Sequence, residues 1–446
     1  MKVLFLSLGC DKNLVDTEVM LGLLTLHGYQ ITDQEEDAEI AVVNTCCFIH
    51  DAKEESIQQI LEMAALKEAG KIQVLIVTGC LAQRYKEEVL MEIPEVDGII
   101  GTSSYDKIVT VIADALAGHT TMTMDHLDLL PEVDAKRILT TGGYYAYLKI
   151  AEGCAKHCTY CIIPKVRGNF RSVPTERILK EAGELAEQGV KELILVAQET
   201  TVYGVDLYGK KTLPELLREL CAIKGFRWIR LLYCYPEEIT DELIQVIKEE
   251  SKICNYLDIP IQHASNDILK RMGRRTTKVE LTSIIQKLRK EIPDICLRTT
   301  LITGFPGETK AQHEELLDFV DEMEFDRLGV FTYSPEEDTP AAIMPDQIPE
   351  EVKTKRQAEL MELQQEIVFA LGEEIVGQEV WVMVEGKLVE ENTFVGRTYR
   401  DAPGIDGLIF IETEEEMFSG DFVKVRVTKT AEYDLIGELK GFEKDI

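Results

Sequence analysis

From Lys2 to about Gly118, short apolar runs alternate with segments whose apolar positions recur at helical spacing. The runs VLFLSLG, AEIAVVNTC and IQVLIVTGC read as buried strands, and Leu14 to His27, Ala52 to Lys67 and Gln83 to Met91 as the helices that follow them. Repeated strand-helix order predicts a parallel sheet with helices on its faces. A polar stretch of poor periodicity, residues 119–142, reads as a linker, and the alternation then starts again. Tyr145 to Ile150, Glu192 to Gln198, Trp228 to Tyr233, Tyr256 to Ile261, Cys296 to Ile302 and Arg327 to Tyr333 read as six strands of a partial (βα)6 barrel over residues 143–371. The charged segment Pro349 to Glu373 has no turn residue before Gly372 and reads as a connecting helix. From Gly377 the pattern shortens to EVWVMVEG, LIFIET and DFVKVRV, separated by Gly, Asp and Pro, which predicts a small antiparallel β-barrel within residues 372–446. The expected fold is therefore α/β, with the first unit at 1–118.

Composition narrows the partners. No stretch holds about 18 consecutive apolar residues, so no membrane span is expected. MKVLFLSLGC at the start is too short an apolar run for a secretion signal and reads as a first buried strand. With 48 Lys plus Arg against 80 Asp plus Glu, a formal charge of -32, most of the surface repels phosphate backbones. Eleven cysteines without a secretion signal point to a reducing, cytoplasmic setting in which thiols serve metals or catalysis.

The cysteine positions carry the chemistry. Cys10, Cys46 and Cys80 each close one of the first three strands, and turns at the carboxyl ends of parallel strands converge on one edge of a sheet. Cys154-Ala-Lys-His-Cys158-Thr-Tyr-Cys161 is a CxxxCxxC run in the loop after the first barrel strand. Three close thiolates can hold three irons of a 4Fe-4S cubane and leave the fourth open to a small ligand. A zinc site would need a fourth ligand, for which only the crowded His157 is at hand. Cys221, Cys234, Cys254 and Cys296 have no metal-like spacing and read as buried small residues.

The CxxxCxxC spacing at this place in a partial barrel resembles the radical S-adenosylmethionine superfamily. That resemblance implies S-adenosylmethionine chelated at the open iron and cleaved to a 5′-deoxyadenosyl radical. It also implies that Tyr160, just before Cys161, lies near the adenine, and that Gly304, in LITGFPGE after the fifth strand, leaves room for the backbone to approach the cofactor. Gln198, in Ala197-Gln198-Glu199 at the end of the second strand, stands where many members carry a GGE motif for the methionine amino group; this chain departs from that motif.

Taken whole, the chain resembles the methylthiotransferases, which join an α/β unit with three scattered cysteines, a radical S-adenosylmethionine barrel and a C-terminal barrel of the TRAM type. The resemblance implies two 4Fe-4S clusters. The auxiliary one would be held by Cys10 in SLGCDKN, Cys46 in NTCCFI and Cys80 in TGCLAQR; the radical-generating one by Cys154, Cys158 and Cys161. Cys47 is an extra thiol beside Cys46, and consecutive side chains leaving a strand point to opposite faces.

One branch of this family modifies an N6-modified adenosine of tRNA, the other an aspartate Cβ of ribosomal small-subunit protein S-twelve. From Gly377 to Ile446 there are 8 Lys plus Arg against 16 Asp plus Glu, an acidic balance suited to a basic protein rather than to tRNA. SLGCDKN, VAQET, DIPIQHAS and DAPGIDG also resemble the ribosomal-protein branch. The expected partners are that ribosomal protein, on the small subunit or ribosome, and an external electron donor, a flavodoxin or ferredoxin. Modification of tRNA is the competing reading, and a purely structural or electron-carrying role for the clusters is the non-enzymatic one.

Overall fold

The computed structural model of the chain describes residues 1–133, 136–388 and 392–442. Six parallel strands form the first sheet: β1 (Lys2–Ser7), β2 (Gln30–Thr32), β3 (Ile40–Thr45), β4 (Val74–Gly79), β5 (Gly98–Ile100) and β6 (Thr121–Thr123), in the order β2-β1-β3-β4-β5-β6. The central β3 and β4 are buried along their whole length, which is why they read as unbroken apolar runs. Sequence reading found β1, β3 and β4. The other three span three residues each, too short to show a period, and β6 falls in the stretch read as linker.

The second sheet holds the six strands expected of the barrel: β7 (Tyr145–Lys149), β10 (Glu192–Val196), β11 (Trp228–Leu231), β12 (Ile253–Asp258), β13 (Cys296–Thr303) and β14 (Arg327–Thr332), all parallel and in sequential order. Two short strands between β7 and β10, namely β8 (Ala151–Glu152) and β9 (Arg171–Ser172), form a separate antiparallel pair that brackets the CxxxCxxC loop. The helix Glu350–Ile375 crosses from β14 to the last unit.

That unit is a closed five-stranded barrel of β15 (Glu379–Lys387), β16 (Thr393–Thr398), β17 (Ile409–Glu412), β18 (Phe422–Ala431) and β19 (Asp434–Phe442). Its pairings are antiparallel except β17 with β19, which run parallel because the β18-β19 hairpin returns the chain in the direction of β17.

Packing fuses the three units. The helix Asp11–Leu26 has both faces covered, one by the first sheet and one by the central barrel, so polar residues such as Asn13, Asp16 and Glu18 are buried in it. Inside the central barrel, an apolar cluster joins Ile194, Trp228 and Tyr256 to Met383, Ala402 and Phe422 of the last unit. Charges reinforce it: Glu192 accepts from Arg230 at 2.7 Å and from Arg397 at 2.7 Å, and all three side chains have no exposed surface. Arg327 holds Asp401 at 2.5 Å, and Tyr256 donates to Asp406 at 2.7 Å.

Candidate functional site

Cys10 caps the amino end of the helix Asp11–Leu26, Cys46 follows β3 directly, and Cys80 opens the helix Cys80–Tyr85 after β4. Two glycines let these ends meet. Gly9 (φ +86°) packs so tightly that a Cβ there would lie 2.6 Å from the Cβ of Cys46, and one on Gly79 (φ +91°) would lie 2.5 Å from the carbonyl of Thr45. Asn13 is the hub: its Nδ2 donates to Leu8 O (3.0 Å) in the Cys10 loop and to Thr45 O (2.9 Å) before Cys46, while Oδ1 faces Cys80 Sγ at 3.8 Å. Ser56 Oγ holds the Cys46 backbone from both sides at 2.9 Å.

Burial, and then the nearby Cys80 and Cys10 thiols, push the Cys46 thiol up to about 12. Three thiols that oppose one another's ionisation suit a polynuclear cation, which takes the place of their protons. Cys47 is fully buried in the apolar cluster with Ala41, Val43 and Ile60, a cluster that also includes Cys80.

The second triad occupies the loop between β8 and the helix Ile163–Arg167. A Cβ on Gly153 (φ +76°) would lie 2.2 Å from Asn169 O, so the loop must begin with glycine. Cys154 N donates to Gly168 O at 3.1 Å, Cys161 N to Cys158 O at 3.0 Å, and Thr159 N to Met272 O at 2.9 Å. Burial raises Cys154 to about 11 and drives Cys161 up as well, and in both cases Cys158 adds to the shift. Among the described residues, no group of three or more His, Cys, Asp or Glu is set to hold a single metal ion. A cubane instead places its thiolates on separate irons.

The three residues expected near S-adenosylmethionine fall in different roles. Tyr160 packs in a cluster with Phe305 and Tyr333, beside the loop after β13. Gly304 sits in that loop with φ +71°, but a Cβ there would strike Lys353 Cγ at 2.3 Å, so packing against this lysine accounts for the glycine. Gln198 has both amide ends engaged within the β8 loop: Oε1 accepts from Gly153 N at 2.7 Å and Nε2 donates to Glu152 at 2.8 Å. It fixes the residue before Cys154. Its neighbour Glu199 is buried: Oε1 accepts from Thr201, and Oε2 has the Lys156 ammonium 3.4 Å away but accepts no hydrogen bond. Burial raises its carboxyl to about 7, against the opposing pull of Lys156.

The carboxyl edges of the two parallel sheets face each other, and the residues at this junction were not singled out in the sequence. Tyr233, after β11, donates to Asp11 at 3.0 Å and receives the Lys12 ammonium 3.3 Å above its ring. Arg84, in the Cys80 helix, holds Glu336 at 2.9 Å. Arg167 reaches from the helix after Cys161 to Cys80 Sγ at 3.4 Å, with Asp16 at 2.7 Å and Glu152 at 3.2 Å. Its one local signal is a charged residue in the otherwise largely apolar segment IIPKVRG.

The comparisons with known proteins follow the same division. Residues 2–101 match the model described as Uncharacterized protein family UPF0004, residues 148–320 the Radical SAM superfamily, and residues 376–439 the TRAM domain. Ribosomal protein uS12 methylthiotransferase RimO of Lachnoclostridium phytofermentans is 67% identical over 437 residues, which cover 98% of this chain and 99% of the relative. The protein of the same name from Clostridioides difficile is 50% identical over 439 residues, 98% of this chain and 99% of that one. In fold, the chain is similar to the radical S-adenosylmethionine methyltransferase TsrM from Kitasatospora setae, with a TM-score of 0.55 at 14% identity over 77% of this chain and 74% of that one. The cobalamin-dependent S-adenosylmethionine radical enzyme OxsB aligns with a TM-score of 0.54 at 13% identity over 81% of this chain and 56% of its own. With relatives at this identity along nearly its whole length, the chain belongs to the RimO family of ribosomal protein uS12 methylthiotransferases.

Proposed function

We propose that this chain methylthiolates an aspartate Cβ of ribosomal protein uS12, with S-adenosylmethionine and two 4Fe-4S clusters as cofactors. The observation that carries the reading is the pair of thiol triads, one at the carboxyl edge of each parallel sheet, linked by Arg167. Cys10, Cys46 and Cys80 would hold the auxiliary cluster, and Cys154, Cys158 and Cys161 the one that binds S-adenosylmethionine. Bound there, the clusters and S-adenosylmethionine supply the radical chemistry and the methylthio group.

The chain itself orients and shields. Glu199, whose buried Oε2 accepts no hydrogen bond and faces only the Lys156 ammonium at 3.4 Å, is the acceptor we assign to the methionine amino group, while Gln198 holds the Cys154 loop. Tyr160 packs on Phe305 of the loop after β13, and we assign it the place beside the adenine, while Gly304 of that loop packs against Lys353. Contacts of Arg84 with Glu336 and of Asp11 with Tyr233 close the seam between the units. Such closure matters because a carbon radical reacts with whatever is nearest, including solvent-borne species.

Substrate choice rests on charge. Of the 8 basic and 16 acidic residues from Gly377 onward, Arg397 and Arg400 pair with Glu192 and Asp326 of the central barrel, and Asp401 and Asp406 with Arg327 and Arg298, so the acidic excess of the remaining residues is undiminished. A basic ribosomal protein complements that excess. Electrons must come from outside the chain, and we assign the donor to the flavodoxin or ferredoxin class. No helix among the described residues is long and apolar enough to cross a membrane; with a ribosomal protein as substrate, we place the reaction in the cytoplasm. The test is anaerobic reconstitution followed by separate incubation with uS12 and with tRNA, read by mass spectrometry. A methylthio increment on the uS12 aspartate is expected, and an increment on tRNA alone would overturn the substrate assignment.

A further inference from the structure

Arg167 ends the helix that follows Cys161, so it belongs to the stretch of chain that carries the second triad, yet its guanidinium lies at the first. Its surroundings account for nearly every donor. Nη1 takes Asp16 and Glu152, Nη2 donates to Asn13 Oδ1, and Nε points at Cys80 Sγ from 3.4 Å. Lys149 pairs with the same two carboxylates, Glu152 at 2.7 Å and Asp16. Two cations and two carboxylates therefore balance, and the edge of the guanidinium that remains is the one aimed at sulfur. Arg167 is 1% exposed, so water does not compete for that edge.

A guanidinium keeps its protons at any working pH, which makes this N–H donor permanent. A donor to a cluster thiolate stabilises the added electron of the reduced state and raises the reduction potential, most of all in a dry site. The second triad is treated differently: Cys158 Sγ faces the neutral hydroxyl of Tyr235 at 3.9 Å.

We infer that Arg167 is a positioning residue that raises the potential of the N-terminal cluster above that of its partner and fixes Cys80 in register with the CxxxCxxC loop. The inference rests on reading Cys80 as a cluster ligand. Arg167→Lys keeps a cation for Asp16 and Glu152 but has no donor at the Nε position; Arg167→Gln keeps a donor without the charge. The test is a potentiometric titration of the two-cluster protein followed by electron paramagnetic resonance, with a Cys158→Ala variant used to assign the N-terminal signal. In both Arg167 variants, full iron loading with a more negative N-terminal midpoint, an unmoved second midpoint and a higher ratio of deoxyadenosine to methylthiolated product is expected. An unchanged N-terminal midpoint in a loaded variant overturns the inference and leaves the proposed function standing. A parent protein that titrates as a single cluster removes Cys80 as a ligand, which is a separate failure visible before any Arg167 variant is made.

Discussion

Glu192→Gln should detach the C-terminal barrel from the central one. Each carboxylate oxygen of Glu192 takes one guanidinium, Oε1 from Arg230 and Oε2 from Arg397, both at 2.7 Å and both fully buried. A glutamine can accept from only one of them; its amide nitrogen then faces the other donor, and two buried cations lose their shared counter-charge. The lost charged hydrogen bond alone is worth about 1.5–3 kcal/mol, and an uncompensated buried charge brings the cost to about 3–5 kcal/mol. As a control, Lys424→Met removes an exposed pair with Glu379 (2.9 Å, side chains 43% and 47% exposed), and should leave the urea midpoint almost unmoved, because solvent screens such a pair. The chain carries its own reporter. Of its 2 tryptophans, Trp228 packs edge-on against Phe422 of the C-terminal barrel at 4.8 Å, whereas Trp381 is 39% exposed. A urea titration followed by tryptophan emission should show an early red-shifting step in Glu192→Gln that is absent in the parent and in Lys424→Met. The two guanidinium groups hold the Glu192 carboxyl below its ordinary value of 4.5 against the opposing effect of burial. Its stabilisation is therefore complete above that pH and fades as pH falls through the lowered folded value. The gap between parent and variant should narrow in acid. Equal urea midpoints for parent and Glu192→Gln at neutral pH, or an equal loss in Lys424→Met, would refute this account of the docking.

The remaining predictions concern the cofactors. Cys158→Ala should abolish deoxyadenosine formation, whereas Cys46→Ala should retain uncoupled S-adenosylmethionine cleavage and lose thiolation; full product formation by both would end the cluster assignment. Cys47→Ala should keep the iron and sulfide content of the parent while Cys46→Ala loses one cluster, as measured by iron analysis after reconstitution. Glu199→Gln should weaken S-adenosylmethionine binding by about tenfold or more, the equivalent of one charged hydrogen bond of about 1.5–3 kcal/mol. Equilibrium dialysis reads this directly, and unaltered affinity would return the amino group to another acceptor.

Local pattern was enough to find the three units, because β1, β3 and β4 are apolar runs with a cysteine just past each, and the six central strands, though shorter or mixed in polarity, recur regularly between helical segments. It was not enough for β2, β5 and β6, where three residues hold less than one readable repeat. Alternation along a strand indicates that Cys46 and Cys47 face opposite ways, and its place directly after Asn44-Thr45 favours Cys46; its Cβ packs against Gly9 beside Cys10, whereas Cys47 packs among Ala41, Val43 and Ile60. Position relative to a motif suggested a ligand contact for Gln198, but its bonds to Gly153 and Glu152, and the Lys156 ammonium beside Glu199 Oε2, could not be read from sequence. Arg167, Lys12 and Arg397 could not be assigned partners from sequence, since each bonds to residues that only the assembled domains bring near.

The segment from Arg397 to Asp406 inserts charged side chains into the central barrel rather than lying against its rim. Asp406 meets Arg298 at 3.3 Å, Arg298 meets Asp258 at 2.9 Å, and Asp258 accepts from the backbone of Tyr233 at 3.0 Å, one residue from the seam at Asp11. In engineering terms, the C-terminal barrel is not an interchangeable module. A chimaera that imports the outer strands of another TRAM barrel to redirect substrate choice must keep this inner segment. Otherwise Arg327 loses its carboxylate Asp401, and Glu192 and Asp326 lose the guanidinium groups of Arg397 and Arg400, within the barrel that holds the second thiol triad.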